Sequence, residues 1–220
     1  MPTSPTHPDH PPSPESGDFP VVVLASASPR RRELLDNAGV THQVQPAKID
    51  DGDLNPSNAT NPEQWVLALA YLKATSSSRA YDADADPQAT VVLGADTVCV
   101  HKGQIIGQPT DRAHAKQIIN QMSDDTHEVL TGVAIIDPIT NRRDLFVDRS
   151  VVSLGSLTEE QIESYLDTNL WKGKAGAYNI TERLAAGWPI KFTGDETSIV
   201  GLPLTRVLER VKTFHPQQLD

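Results

Sequence analysis

The sequence contains a single cysteine, Cys99, and one thiol cannot form an intrachain disulfide. A disulfide framework is therefore excluded, and the expected setting is a reducing one, the cytoplasm. Long apolar runs are missing too. None approaches the ~20 residues that a membrane-spanning helix needs, so no membrane partner is expected. An excess of positive charge is also absent: the formal net charge is −10. That balance argues against a protein that coats nucleic acid. It leaves a small anionic ligand open, because salt screens charge beyond about 8–10 Å and the groups lining a pocket outweigh the global sum.

The chain has no valine, leucine or isoleucine before Val21, while its first twenty residues hold seven prolines. A segment of that kind cannot bury enough apolar surface to fold, so residues 1–19 read as a disordered Pro-rich tail. They lack the charged start and apolar centre of a secretory signal. From residue 20 to 215 the composition is that of one ordinary globular domain, at 38% hydrophobic and 22% charged over the whole chain. A chain of this length buries about 70% of its unfolded surface without needing metals or disulfides as staples.

Residues 21–25 form a short β-branched apolar run that suits a buried strand. The small-residue loop Ser26-Ala27-Ser28 then leads to Pro29 at a helix start, with Ser28 placed to cap it and Gly39 to stop it. Residues 41–44 alternate like a strand. Asn61-Pro62 opens a second helix by the same logic, with Trp65, Leu69 and Leu72 on one face, and residues 76–88 read as a surface connection. Residues 90–94 and 97–100 are strand-like on either side of Ala95-Asp96, and Gly103 turns the chain before Ile105-Ile106. Thr110 is placed to cap a helix reaching Met122. Residues 128–137 and 144–154 read as paired strands, Thr158 with Gln161 as a capping box, residues 189–192 as a short strand and Pro203 as the start of the last helix. Strands and helices interleave without a repeat, which gives an α/β fold with a mixed, twisted sheet and flanking helices.

Three arginines, Arg30, Arg31 and Arg32, fall in the first turn of the first helix, where each cation costs about 0.3–1 kcal/mol against the helix dipole. An anion held by the exposed N–H groups and the guanidinium forks reverses that sign. Spacing alone fits solvent-facing arginines equally well, and the dipole cost tips the reading toward a phosphate cradle. Asp96, in Gly94-Ala95-Asp96-Thr97, is a carboxylate at the end of an apolar strand, where α/β proteins place ligands. It could hold a divalent metal or take a proton from water. Asp50 and Asp51 form a second acidic pair, which could share a Mg²⁺ with Asp96 or be a solvated turn. Lys73 and Lys174, the latter among small residues, suit phosphate oxygens. His114 and His127 lack metal-ligand spacing and read as structural or exposed, and Trp65, Trp171 and Trp188 as core or rim.

Five strings then occur in one order: Leu24-Ala25-Ser26-Ala27-Ser28-Pro29-Arg30-Arg31, Leu93-Gly94-Ala95-Asp96-Thr97-Val98, Thr131-Gly132-Val133, Lys174-Ala175-Gly176-Ala177-Tyr178 and Val200-Gly201-Leu202-Pro203-Leu204. Together with Leu69-Ala70 and Lys73-Ala74 they resemble the Maf family of nucleotide pyrophosphatases over nearly the whole ordered chain. The resemblance implies two lobes around a nucleotide cleft, a divalent cation (Mg²⁺ or Mn²⁺), a nucleoside triphosphate substrate and a homodimer. It implies hydrolysis of a triphosphate to the monophosphate and pyrophosphate, as house-cleaning of surplus or non-standard nucleotides. Phosphates would be bound by Ser26, Ser28, Arg30 and Arg31, with charge neutralised by Lys73 and Lys174. Asp96 would accept the proton of the attacking water and, with Asp51, hold the metal, while Gln108 and Thr181 complete the substrate-binding set.

Four positions depart from the family pattern. Gln108 stands where many members have lysine, Asp51 where glutamate is usual, Gly173 where an aspartate precedes the lysine, and Thr181 where members preferring thymidine and uridine triphosphates have glutamine. None of these touches the arginine loop or Asp96, so the reaction class stands, while Gln108 and Thr181 leave the base open. The alternatives are a purine-directed relative clearing modified guanine or inosine nucleotides, and a regulatory nucleotide-binding protein of cell division or septum formation with little turnover.

Overall fold

The structure, a computed structural model, describes residues 20–49, 56, 60–81 and 90–214. In chain order the elements are β1 (Val21–Leu24), α1 (Pro29–Asn37), β2 (His42–Val44), α2 (Pro62–Arg79), β3 (Thr90–His101), β4 (Gln104–Ile106), α3 (Arg112–Met122), β5 (Asp125–Ile136) and β6 (Arg143–Leu154). There follow α4 (Glu159–Asp167), a 3-10 turn (Ala175–Ala177), α5 (Ile180–Ala185), β7 (Ile190–Thr193), α6 (Glu196–Val200) and α7 (Leu204–Lys212). The sheet is mixed and runs β2-β1-β3-β5-β6-β7, with β4 also paired to β3. β1 is parallel to β2 and β3, and the remaining pairs are antiparallel.

Three strands of twelve residues, β3, β5 and β6, form the spine. Their alternating side chains line one face that carries two apolar clusters in succession. Leu93, Ala95, Val133 and Ile135 pack with β1, Leu35 of α1 and Val207 and Val211 of α7. Farther along the same strands, Cys99, Val129 and Val152 pack with Ile119 and Met122 of α3, Ile162 and Leu166 of α4, and Trp171 and Trp188. These clusters are the cores of two lobes. The opposite face is covered by α2, whose Ala70 and Ala74 meet Val92 and Ala134, and whose Val66 meets Val98, Val100 and Leu130.

Between the lobes the sheet opens on one side. β3 pairs with β1 through residues 90–93 and with β4 through residues 99–101. Among the described residues, 94–98 therefore have a strand partner only on the β5 side. This notch in the sheet edge lies where the chain leaves β1 for α1.

Several expected features are shifted. Asp96 lies mid-strand in β3, paired with Gly132, rather than at a strand end; the polar residue does not break the strand because β5 pairs continuously through it and Lys73 of α2 partners its carboxylate. The cap of α3 is Asp111, whose carboxylate accepts from the His114 N–H, so Thr110 stands one residue too early to reach that group. α2 continues to Arg79, so residues 76–79 are helical rather than a connection. Its buried stripe is Val66, Leu69, Ala70, Ala74 and Ser77, while Leu72 is exposed, because small residues let the helix lie flat on the sheet. Ser28 holds the cap position of α1, yet its side chain makes no capping bond.

Candidate active site

The loop leaving β1 is organised by Ser26. Its hydroxyl oxygen accepts from the Ser28 N–H at 3.2 Å and from Arg31 Nη1 at 2.9 Å. Both lone pairs are thus engaged and the hydroxyl keeps only its proton to offer. Arg31 is buried, and its guanidinium also donates to the Gly201 carbonyl at 2.8 Å and to Thr97 Oγ1 at 3.2 Å. The three arginines therefore have different fates. Arg31 is locked in place, Arg32 is exposed, and half-buried Arg30 makes no hydrogen bond or ion pair with any described residue. The first turn of α1 carries no acidic residue to offset these cations, which leaves its start electropositive.

Opposite this loop, Lys73 Nζ of α2 lies 2.7 Å from Asp96 Oδ1, both side chains being largely shielded from solvent. Two glycines make the pair possible. A Cβ on Gly94 would stand 2.3 Å from the Ala70 carbonyl oxygen, and one on Gly132 would stand 2.5 Å from the Val66 backbone. Only glycine at both positions lets α2 approach the sheet closely enough to bring Lys73 beside Asp96.

The far wall belongs to the segment before α5. Gly176 adopts a φ of +72° and its N–H donates to the Gly107 carbonyl, which fastens this segment to the stretch that carries Gln108. Ala177, fully buried, is also held at a positive φ of 65°, a strained backbone of the kind found where a site is built. Lys174 Nζ sits 2.5 Å from Glu182 Oε2 in the first turn of α5. Ser28, Arg30, Arg31, Lys73, Asp96, Gln108 and Lys174 line one cleft of about 260 Å³. Among its described lining residues there are four Lys or Arg side chains and one carboxylate. Such a wall favours an anion of several charges.

The inner end of the cleft was not expected. It is lined by Cys99, Val129, Val152, His127 and Tyr178, where the Tyr178 hydroxyl lies 3.1 Å from His127 Nε2. Burial, reinforced by the neighbouring His101, pushes the His127 pKa down to about 4, so the ring is neutral near pH 7. Burial likewise pushes the Cys99 thiol up to about 12 and raises the Tyr178 phenol. The signal available in the sequence was alternation: His127 shares the parity of Val129, Thr131 and Val133 along β5, the inward face. Three expected site residues are not among the described lining of this cleft: buried Ser26 stands behind it, holding Ser28 and Arg31. Thr181 lines a neighbouring depression with Arg30, Asn179 and Glu182, while Ile180, the first residue of α5, lines the cleft. Asp51, with Asp50, lies outside the described residues.

Among the described residues no group of three or more His, Cys, Asp or Glu side chains is arranged to hold a metal. Asp96 nonetheless offers a hard oxygen beside the cationic wall. That donor fits Mg²⁺ or Mn²⁺ held by one or two carboxylates together with substrate phosphates, rather than in an all-protein cage.

Comparison with known proteins gives the family. The profile of the family described as Maf-like protein matches residues 21–214. The chain is 40% identical over 191 residues to a dTTP/UTP pyrophosphatase of Geobacillus sp. (strain WCH70), covering 87% of this chain and 96% of that one. It is 37% identical over 193 residues to a dTTP/UTP pyrophosphatase of Pelotomaculum thermopropionicum, covering 88% and 96%. A third, from Lachnoclostridium phytofermentans, is 36% identical over 196 residues, covering 88% and 94%.

Proposed function

Because the chain belongs to the Maf-like protein family, we propose that it is a nucleoside triphosphate pyrophosphatase whose cleft takes a pyrimidine triphosphate, dTTP or UTP. The observation that carries the reading is the single cleft in which Arg30, Arg31, Lys73 and Lys174 surround the Asp96 carboxylate. The relatives' activity on dTTP and UTP supports the base choice, despite Gln108 and Thr181.

In this proposal the triphosphate lies against the start of α1. The Ser26 proton, the first-turn N–H groups and Arg30 meet phosphate oxygens, and Lys174 exchanges its Glu182 contact for one of them. Lys73 holds Asp96 toward the cleft, and Asp96 takes the proton of the water that attacks the α-phosphorus as pyrophosphate leaves. Positioning and electrostatic stabilisation supply most of the rate, as at phosphorus centres generally. A divalent cation, held by Asp96, by Asp51 and by phosphate oxygens, would supply charge neutralisation on the leaving pyrophosphate.

A cytoplasmic setting belongs to the proposal and is supported by the one cysteine, which is a free buried thiol. Homodimer formation belongs to it as well, and sedimentation equilibrium decides it. The direct test is pyrophosphate release from a panel of normal and modified triphosphates with Mg²⁺ or Mn²⁺. Highest turnover on dTTP and UTP is expected. Tight binding without release from any of them would make the protein a nucleotide sensor, and a preference for modified purines would overturn the base assignment.

A further inference from the structure

Thr131 has no exposed surface and does not line the cleft, yet it is one of the few polar side chains in the layer between the two lobes. Its hydroxyl oxygen lies 2.8 Å from the Ser198 carbonyl and 2.9 Å from Thr97 Oγ1. A hydroxyl owns one proton and a carbonyl can only accept, so the Thr131 proton goes to Ser198. Thr97 must then donate its proton to Thr131. That leaves Thr97 only a lone pair for Arg31, whose Nη2 donates to it at 3.2 Å. Each link has a single allowed direction, running from Arg31 through Thr97 and Thr131 to the Ser198 carbonyl.

The receiving end of this chain is the last turn of α6. Helix C-termini leave carbonyls without partners inside the helix, and here two oxygens of that region are used. Ser198 accepts from Thr131, and Gly201, just past the helix, accepts directly from Arg31 Nε. Arg31 Nη1 meets Ser26, so the fork spans from the phosphate loop to α6 with all three of its nitrogens donating.

We propose that Thr131 is a positioning residue for the phosphate end of the cleft. By taking the Thr97 proton it holds the Thr97 oxygen toward Arg31 and thereby fixes the guanidinium and, through Ser26, the loop. With valine at this position Thr97 loses its acceptor, its hydroxyl is free to turn its proton toward Arg31, and the Ser198 carbonyl keeps only the Gly201 N–H at 3.0 Å. The kinetic part of the proposal rests on the pyrophosphatase reading; the geometric part does not.

The test uses the full chain and the variants Thr131→Val, Thr131→Ser and Thr97→Val, alone and with Arg31→Ala. Thr131→Val and Thr97→Val are each expected to lower kcat/KM for pyrophosphate release from dTTP about tenfold, the scale of a hydrogen bond to a charged group. Thr131→Ser restores the rate to within about twofold because the relay needs only a hydroxyl. In the Arg31→Ala background the valine substitution should cost less than about twofold, since residues acting through one partner are not additive. A full tenfold loss in that background, or failure of serine to rescue, would mean that Thr131 serves packing alone. Independently of turnover, the Arg31 Nε–H resonance in a ¹H–¹⁵N spectrum should exchange slowly in the parent and Thr131→Ser and broaden in Thr131→Val. An unchanged resonance overturns the relay. A parent protein that releases no pyrophosphate while showing the expected resonances refutes the pyrophosphatase reading and leaves the relay standing.

Discussion

At the residue scale, Arg30 and Asp96 have different physical settings although both face the cleft. Arg30 has no partner to lose among the described residues, so Arg30→Ala should leave the thermal transition within a degree or two of the parent's. Asp96→Asn keeps the shape and an acceptor for Lys73, so it too should fold. Both variants are expected to lose pyrophosphate release by about 10²–10³, the usual cost of one stabilising group at a phosphorus or acyl centre. Near-parental turnover in both, measured on purified protein with matching circular dichroism, would remove them from the mechanism. His127 makes a prediction about stability instead. Its pKa is held near 4 when folded, against 6.5 ordinarily, so between those values the unfolded chain binds more protons than the folded one. Stability must then fall as the pH is lowered from about 6.5 to 4. The low carboxyl pKa of Asp125, caused first by the His101 hydrogen bond, acts in the same direction but below that window. A His127→Gln variant should therefore show a flatter melting temperature between pH 6.5 and 4, and an unchanged slope would mean the imidazole is not held neutral.

At the element scale the decisive contact is α2 on β3 and β5. A Cβ at position 132 would overlap the Val66 backbone at 2.5 Å, and backbone cannot step aside as a flexible side chain can. Gly132→Ala is expected to cost about 1–3 kcal/mol or somewhat more, lowering the melting temperature by roughly 4–10 °C for a chain of this size. Activity should fall further than stability explains, because lifting α2 parts Lys73 from Asp96. Alanine at Gly107, where a Cβ meets nothing within 4 Å, is the stability control. A Gly132→Ala protein as stable as that control would mean the close approach is not required. Capping shows how element ends could be read. The Thr158–Gln161 box is present as its spacing requires, whereas at α3 the sequence pointed to Thr110 and the cap is its neighbour Asp111, whose carboxylate oxygen reaches the His114 N–H.

At the scale of the whole molecule, the cleft is bounded by both lobes. The arginine loop follows β1 in one, and Lys174 and His127 belong to the other. A ligand that contacts both sides stabilises the folded chain by mass action, by about 2.7 kcal/mol at a hundredfold excess over its Kd. A non-hydrolysable α,β-imido dUTP with Mg²⁺ should therefore raise the melting temperature by roughly 5–10 °C. The rise should shrink in Arg30→Ala, and its absence in the parent protein would speak against a triphosphate site in this cleft.

The linear order of residues was enough to determine most of the element types, though not the short helices α5 and α6, together with the strand–loop–helix start at Pro29 and the cationic character of that start. These depend on local periodicity, on proline and serine chemistry, and on charge within one turn. It was likewise enough to single out Asp96, Lys73 and Lys174. What it could not contain is which of these residues meet. That Arg31 is locked rather than free depends on Gly201, 170 positions away. That Asp96 sits inside a strand and not at its end depends on β5, which pairs with β3 from Val92 to Val100 and places Gly132 opposite it. The inward turn of His127, the placement of Thr181 beside the cleft and the Thr97–Thr131 relay are likewise tertiary. Each follows from the packing of segments distant in sequence, where the direction of a hydrogen bond or the room for one Cβ decides the outcome.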